Sequence, residues 1–320
     1  MAEITVKPKI AVSSCLLGEE VRYDGGHKNN RYVSRVLVDY FDFVPLCPEV
    51  AIGLGIPRPT IRLVQEGDEV RARSNADSAD DYTEVLAGYG RKMAASLTRV
   101  SGYILKKDSP SCGMERVKVY PPEPARPPEK NGVGIYAGVI LEALPNLPVE
   151  EEGRLTDPRL RENFIERVFL YASWQALLAR GLTSRGLVEF HTAHKFAILA
   201  HDETVYRQLG QIVARAGSVP IEECAESYIA LLMQGMKTLT TPKKHANVLM
   251  HIMGFFKEDL EKDDKAELLR LIEAHREGLV PVIVPITLIN YFRKKYPNEY
   301  IEGQTYLEPH PPELMLRNTL

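Results

Sequence analysis

Cysteine is scarce in this 320-residue chain: Cys15, Cys47, Cys112 and Cys224 are its only four, and they stand far apart. So sparse a set excludes a secreted disulfide framework and points to a reducing compartment, where thiols stay free or act as ligands. Long apolar runs are missing too. Nowhere do about 18 uncharged apolar residues follow one another, which argues against a membrane-spanning helix. The opening MAEITVKPKIAVSS has no basic segment leading into an apolar run, so the chain reads as cytoplasmic. Nor is there an excess of one charge: 40 Lys and Arg against 43 Asp and Glu leave a formal −3. No strongly basic surface follows from that balance, and any affinity for nucleic acid depends on where cations cluster.

What remains is ordinary globular composition, 44% hydrophobic and 26% charged. A chain this long exceeds the usual size of a single core, so two domains are expected. Its first half alternates short β-rich runs with helical stretches, the pattern of an α/β unit with a mostly parallel sheet. Strands are expected at 10–14, 41–46 and 102–105, with an extra extended strand at 69–73. Helical spacing marks 30–40, 80–97 and 135–144. PPEPARPPEK, residues 121–130, reads as a loop because its prolines remove backbone donors. Beyond a boundary near Arg154 the pattern turns to long helices with almost no strand signal, so residues 155–320 are expected to form an all-α helical bundle after an α/β domain at 1–154.

Position is the main clue to function. Cys15 follows KIAVSS, Cys47 follows FVPL and Cys112 follows YILKKDSPS, each at or shortly after an expected strand. In an open parallel sheet the carboxyl ends lie along one edge, where ligands bind. Spacing alone leaves two readings open, three core cysteines or one converging site. The local sequences SSCLLG, LCPE and SPSCG favour the site, because small residues, Pro and Gly suit tight loops that approach a ligand. Three thiolates and a histidine make structural zinc, but His27, the nearest, is not at a zinc-motif spacing. A four-iron cluster on three thiolates leaves one iron open as a Lewis acid.

SSCLLG with the following YDGG, LCPE with GIPRP, and KKDSPSCG resemble the thiouracil desulfidase family over about residues 8–150. VEFHTAHKFAILAH, KHANVLMHIMGFFK and NYFRKKYPNEYIEGQTYLEPHPPEL resemble the helical partner domain fused to that unit. The resemblance implies a [4Fe-4S] cluster on Cys15, Cys47 and Cys112 with one open iron, supplied by iron–sulfur assembly machinery, and Glu49 and Ser109 at the catalytic positions. It also implies non-redox, hydrolytic desulfuration, with 4-thiouridine in transfer RNA as substrate. Free thiouracil or a thiolated nucleotide is the alternative substrate, and a zinc-stabilised RNA-binding protein without catalysis is the alternative class. Chemically, a carboxylate two residues beyond a ligand can move a proton, and a nearby hydroxyl can orient a heterocycle. Helix capping by Glu49 and turn formation by Ser109 are the competing structural readings.

Further contacts are weaker. Arg58 and Lys106 or Lys107 are candidates to meet a nucleotide phosphate, against the commoner reading of isolated surface cations, and Ser111 to bond cluster sulfur or hold a turn. Asp24, Gly25 and Gly26 suggest a turn near the site. Gly132 and Gly134 fall short of a dinucleotide fingerprint, and NAD is not assigned. In the helical half, His191, His194 and His201 share roughly one helix face beside Lys195, for RNA phosphate or for an interhelical seam; HxxH alone does not make a zinc site. Lys243 and Lys244 with His245, and Arg293, Lys294 and Lys295 with Tyr291, Phe292 and Tyr296, are the RNA-contact candidates. Asn247 and His251 share a face, and Cys224 reads as a structural thiol.

Overall fold

A computed structural model describes residues 7–121 and 126–319, which form two compact units, 7–157 and 158–319. In the first unit the strands are β1 (Lys9–Ser13), β2 (Asp42–Leu46), β3 (Ile61–Glu66), β4 (Glu69–Ser74), β5 (Gly102–Leu105), β6 (Val117–Tyr120), β7 (Glu129–Gly132) and β8 (Val149–Glu151). The helices are α1 (Pro48–Ala51), α2 (Thr83–Ser96) and α3 (Ile135–Ala143). One sheet is wholly parallel, in the order β2-β1-β5-β8. Its inner strands KIAVS and GYIL are buried almost end to end, as central strands of a parallel sheet are. The chain leaves β1 for β2 on one side and comes back to β5 on the other. Strand order therefore reverses at β1, and a crevice opens at the carboxyl ends there.

The α/β class with a following helical half is as the sequence implies, but four strands are not legible in it: β3, β6, β7 and β8. Three of them join β4, the strand expected at 69–73, in a second sheet of order β4-β3-β6-β7. This sheet is mixed, with β3–β4 and β6–β7 antiparallel and β3–β6 parallel. Its core is Ile61, Leu63, Ala72, Val117 and Val119 with Leu86 of α2. The loop expected over 121–130 lies outside the described residues at 122–125, and its end, Glu129–Lys130, pairs with β6 instead. β7 reads EKNG and β8 reads VEE; neither carries the apolar pattern of a strand, and each is set by its neighbour's open backbone rather than by its own side chains. The helix expected over 30–40 is a π-turn, Tyr32–Val36, running into a 3-10 turn, Leu37–Asp39. Val33, Val36 and Val38 are poor helix formers, and so short a stretch gives an α-helix little to propagate on.

The second unit is helical: α4 (Pro158–Ala179), α5 (Ser184–His201), α6 (Glu203–Ala214), α7 (Ile221–Gly235), α8 (Pro242–Met253), α9 (Lys262–Arg276), α10 (Ile283–Lys295) and α11 (Glu299–Glu302). Thr183, Asp202 and Thr241 cap α5, α6 and α8 by accepting backbone N–H groups. Helix α5 is central, because Phe196 and Leu199 enter one apolar cluster while Leu187, Phe190 and Ile198 enter another. No described helix is long and apolar enough to cross a membrane.

Burial pushes His191, His194 and His310 down to about 4 and His245 well below its ordinary value. The unfolded chain, with histidines near 6.5, binds protons that the folded chain refuses. Stability is therefore full above pH 6.5 and is lost as pH falls toward 4; Glu162, pushed up by burial, opposes this but is outnumbered. The melting temperature of the helical unit should drop between pH 7 and pH 5. A flat calorimetric profile across that interval contradicts the assignment of neutral rings.

Candidate active site

Each thiol is delivered by the turn that ends a parallel strand. Cys15 sits in the 3-10 turn Ser14–Leu16 after β1, and Cys47 is the N-cap of α1 after β2. Cys112 lies in the turn after β5, where Gly113 N–H bonds Ser109 C=O at 2.8 Å. All three line one cavity of about 340 Å³, together with Glu49, Arg58, Lys106, Lys107 and Ser109, at the small end of ligand pockets. Cys224 belongs to the helical unit, buried in its core with Ile212 C=O 3.9 Å from the sulfur.

The three pocket thiols are close enough that charge on one disfavours charge on another. Burial pushes Cys15 up to about 11, against the opposing pull of Lys106 and Arg22. Burial also raises Cys47, with the Glu49 charge adding to it. Cys112 is held well above the usual thiol range, chiefly by burial, while a hydrogen bond from Ser13 works the other way. Without a ligand all three are neutral thiols at physiological pH, so a metal centre that binds thiolates must displace their protons.

Among the described residues, no three His, Cys, Asp or Glu groups meet at a point suited to one metal ion. His27 is exposed, uses Nδ1 to accept Asn29 N–H at 3.2 Å, and does not line the cavity, so it does not complete a tetrahedron with the thiols. Thiolates on a cubane each bind a different iron and need a shared cavity rather than a common point. Three thiols around one chamber fit such a group, and the carboxylate beside them is engaged by Arg58 and Ser111.

That carboxylate is Glu49, in the first turn of α1. Its Oε2 takes Arg58 Nε at 2.9 Å and Nη2 at 2.8 Å, and its Oε1 takes the Ser111 hydroxyl at 2.8 Å. Ser111 is thus a partner of the carboxylate. Ser109 Oγ accepts the N–H groups of Cys112 at 3.0 Å and Ser111 at 3.3 Å; it shapes the thiol turn and keeps its own proton for another acceptor. Lys106 Nζ pairs with Glu152 at 2.6 Å, and the same carboxylate takes Lys107 N–H at 2.8 Å. The Lys107 side chain is half exposed, 3.8 Å from Asp108.

Ser13, Arg22, Tyr23, Lys28 and Thr60 also line the cavity and were not singled out from the sequence. The signal for three of them was the YDGG segment: Gly25 takes φ +73° and Asp24 Oδ1 holds Gly26 N–H at 3.1 Å, a turn that carries Arg22, Tyr23 and Lys28 along the pocket. Gly134, set aside as half of a dinucleotide motif, has a packing reason. A Cβ there would lie 2.6 Å from the Ser111 backbone.

The remaining cations belong to the helical unit. Lys195 Nζ lies 4.5 Å from the centre of the Tyr300 ring, Lys244 donates to His201 C=O, Arg293 pairs with Glu308 at 2.8 Å, and Lys295 stands 3.8 Å from Asp264. Lys243 and Lys294 are exposed. Two of the histidines bridge from α5 to neighbouring segments: His191 meets Tyr228 Oη at 3.1 Å, and His201 bonds Thr238 C=O at 2.6 Å and meets Glu166 at 3.3 Å, whereas His194 bonds Phe190 C=O of its own helix at 2.8 Å. Phe292 is core, whereas Tyr291 is exposed.

The sequence model of the 2-thiouracil desulfurase family matches residues 10–152. The uncharacterized protein YbbK of Bacillus subtilis (strain 168) is 38% identical over 110 residues, 32% of this chain and 72% of that protein. The chain belongs to the thiouracil desulfidase family. In this desulfidase family member the helical half carries a second match, at residues 195–311, to a family described as a protein of unknown function (DUF1722). The uncharacterized protein YbgA of Escherichia coli (strain K12) is 28% identical over 162 residues, 50% of this chain and 96% of that protein. A solved structure, the [4Fe-4S]-dependent thiouracil desulfidase TudS, is 27% identical, covering 47% of this chain and 94% of that one with a TM-score of 0.38.

Gly134→Ala should push the Ser111–Gly113 backbone away from α3 and destabilise the α/β unit by about 1–3 kcal/mol. The urea midpoint measures this, and an unchanged midpoint contradicts the close approach.

Proposed function

We propose that the α/β unit removes sulfur from a thiolated pyrimidine by hydrolysis, and that its substrate is 4-thiouridine in transfer RNA, converted to uridine with release of sulfide. The reading rests on one observation above all: three thiols share a cavity with a carboxylate fixed by Arg58 and Ser111. Membership of the desulfidase family supports it. Cys15, Cys47 and Cys112 would hold a [4Fe-4S] cluster, loaded by iron–sulfur assembly machinery. When bound, that group supplies an open iron, a Lewis acid for sulfur.

The chain's own residues do the rest. Glu49 takes a proton from the water that attacks the thiocarbonyl carbon, and the Ser109 hydroxyl donates to the heterocycle and orients it. The carbon gains the water oxygen and sulfur leaves as sulfide, so no electrons are exchanged with a donor. Lys107, half exposed at the cavity, is a cation available to a nucleotide phosphate. Residues 1–154 carry the chemistry in this reading, and residues 155–320 select RNA through exposed Lys243, Lys294 and Tyr291. Free thiouracil or a thiolated nucleotide is the second reading, favoured by the small cavity. The zinc reading loses its support with His27 turned to Asn29.

Anaerobic reconstitution should give a brown protein containing iron and acid-labile sulfide. Cys15→Ala, Cys47→Ala or Cys112→Ala should each abolish loading, whereas Cys224→Ala should preserve it; retained loading in any of the first three overturns the ligand set. Glu49→Ala and Ser109→Ala should keep the cluster and lose turnover by roughly 10²–10⁴-fold, read as uridine formed in nucleoside digests of thiolated transfer RNA. Removing residues 158–320 should cut conversion of transfer RNA far more than that of 4-thiouridine. Equal losses on both substrates contradict RNA selection by the helical half.

A further inference from the structure

An arginine beside a pocket for a nucleotide is ordinarily taken for a phosphate contact, and Arg58 in GIPRP invites that reading. Its surroundings speak against it. The side chain is only 3% exposed, and four of its five N–H donors are engaged within the protein. Nε and Nη2 hold Glu49 Oε2 at 2.9 and 2.8 Å, while Nη1 reaches the carbonyl oxygens of Val21 and Gly55, each at 3.0 Å. Its backbone N–H bonds Tyr23 C=O at 2.9 Å. Val21 C=O also lies 3.8 Å from the Cys47 sulfur.

We propose that Arg58 is a positioning residue: together with Ser111 it locks the Glu49 carboxylate in one orientation and ties it to the Val21–Tyr23 strap along the pocket. The inference rests on the desulfidase reading. Donors on opposite oxygens remove rotation of the carboxylate, so the lone pair that meets the reacting water is set before substrate arrives. Only a planar guanidinium can serve a carboxylate and two carbonyls at once; an ammonium has neither the reach nor the fork. A phosphate contact would have to compete with those four bonds.

The test uses the full-length, cluster-loaded chain with two substrates, 4-thiouridine and its 5′-monophosphate. Arg58→Ala should lower kcat by about 10²-fold on both, with KM changed by less than about twofold. Arg58→Lys should recover little of the loss. Guanidinium ion at millimolar concentration should raise the turnover of Arg58→Ala and leave the wild type unmoved, a response that a merely structural role does not give. Unchanged kcat, or a KM that rises for the monophosphate alone, overturns the proposal. If Arg58→Ala fails to load iron and sulfide, Ser111→Ala decides instead. It removes the Oε1 donor and should lower kcat with KM retained; wild-type kcat in that variant overturns the proposal. A loaded wild type inert toward both substrates defeats the desulfidase reading and this inference with it, whereas an active wild type with unaffected variants defeats the inference alone.

Discussion

Parallel pairing of β1 with both β2 and β5 is the constraint on which the site depends. It points three carboxyl ends the same way, so that Cys15, Cys47 and Cys112 face one chamber although long stretches of chain separate them. An antiparallel arrangement of the same strands would send one thiol to the opposite edge. Both strands are held in the sheet interior by runs buried on both faces. Packing in the sheet interior and the placing of the thiols are thus one requirement.

Charge around the chamber is arranged by a second set of pairings. Glu150, Glu151 and Glu152 are all buried at the end of β8, and each has a partner: Arg154 for Glu150, the Met114 N–H for Glu151, and Lys106 with the Lys107 N–H for Glu152. Buried carboxylates persist only when paired in this way. The Glu152 contacts steady the lysine pair before the Cys112 turn. The Arg58–Glu49 pair works on the other side of the chamber, where removing one partner would strand the other with little water around it.

That the three thiols sit in tight turns at strand ends was legible in the sequence, because Pro, Gly and Ser beside cysteine announce such turns; Glu49 was singled out by the family resemblance and not by the turn pattern. The partner of Glu49 was not legible. Arg58 looks the same in sequence whether it meets a phosphate or a carboxylate nine residues back, and only the folded path of the chain between them decides which group it reaches. Ser111 was open between cluster sulfur and turn, and neither reading anticipates the Glu49 carboxylate to which it donates. Strands β7 and β8 were invisible because polar residues can occupy a strand whose hydrogen bonds are supplied by a neighbour. The histidine stripe on α5 illustrates the opposite hazard: its periodicity is real, but periodicity cannot distinguish a polar seam from a binding face.

The start of α3 has a consequence of its own. The first N–H groups of a helix have no partner within it, and here Gly134, Ile135 and Ala137 give theirs to the carbonyls of Gly113, Pro110 and Ser111. The turn that carries Cys112 is therefore sewn to the helix by the bonds that cap it. Fraying of that helix end and release of the turn become a single cooperative opening, with amide protons exchanging together. The Cys112 thiol is as steady as the first turn of α3, however firmly the sheet beneath it is built.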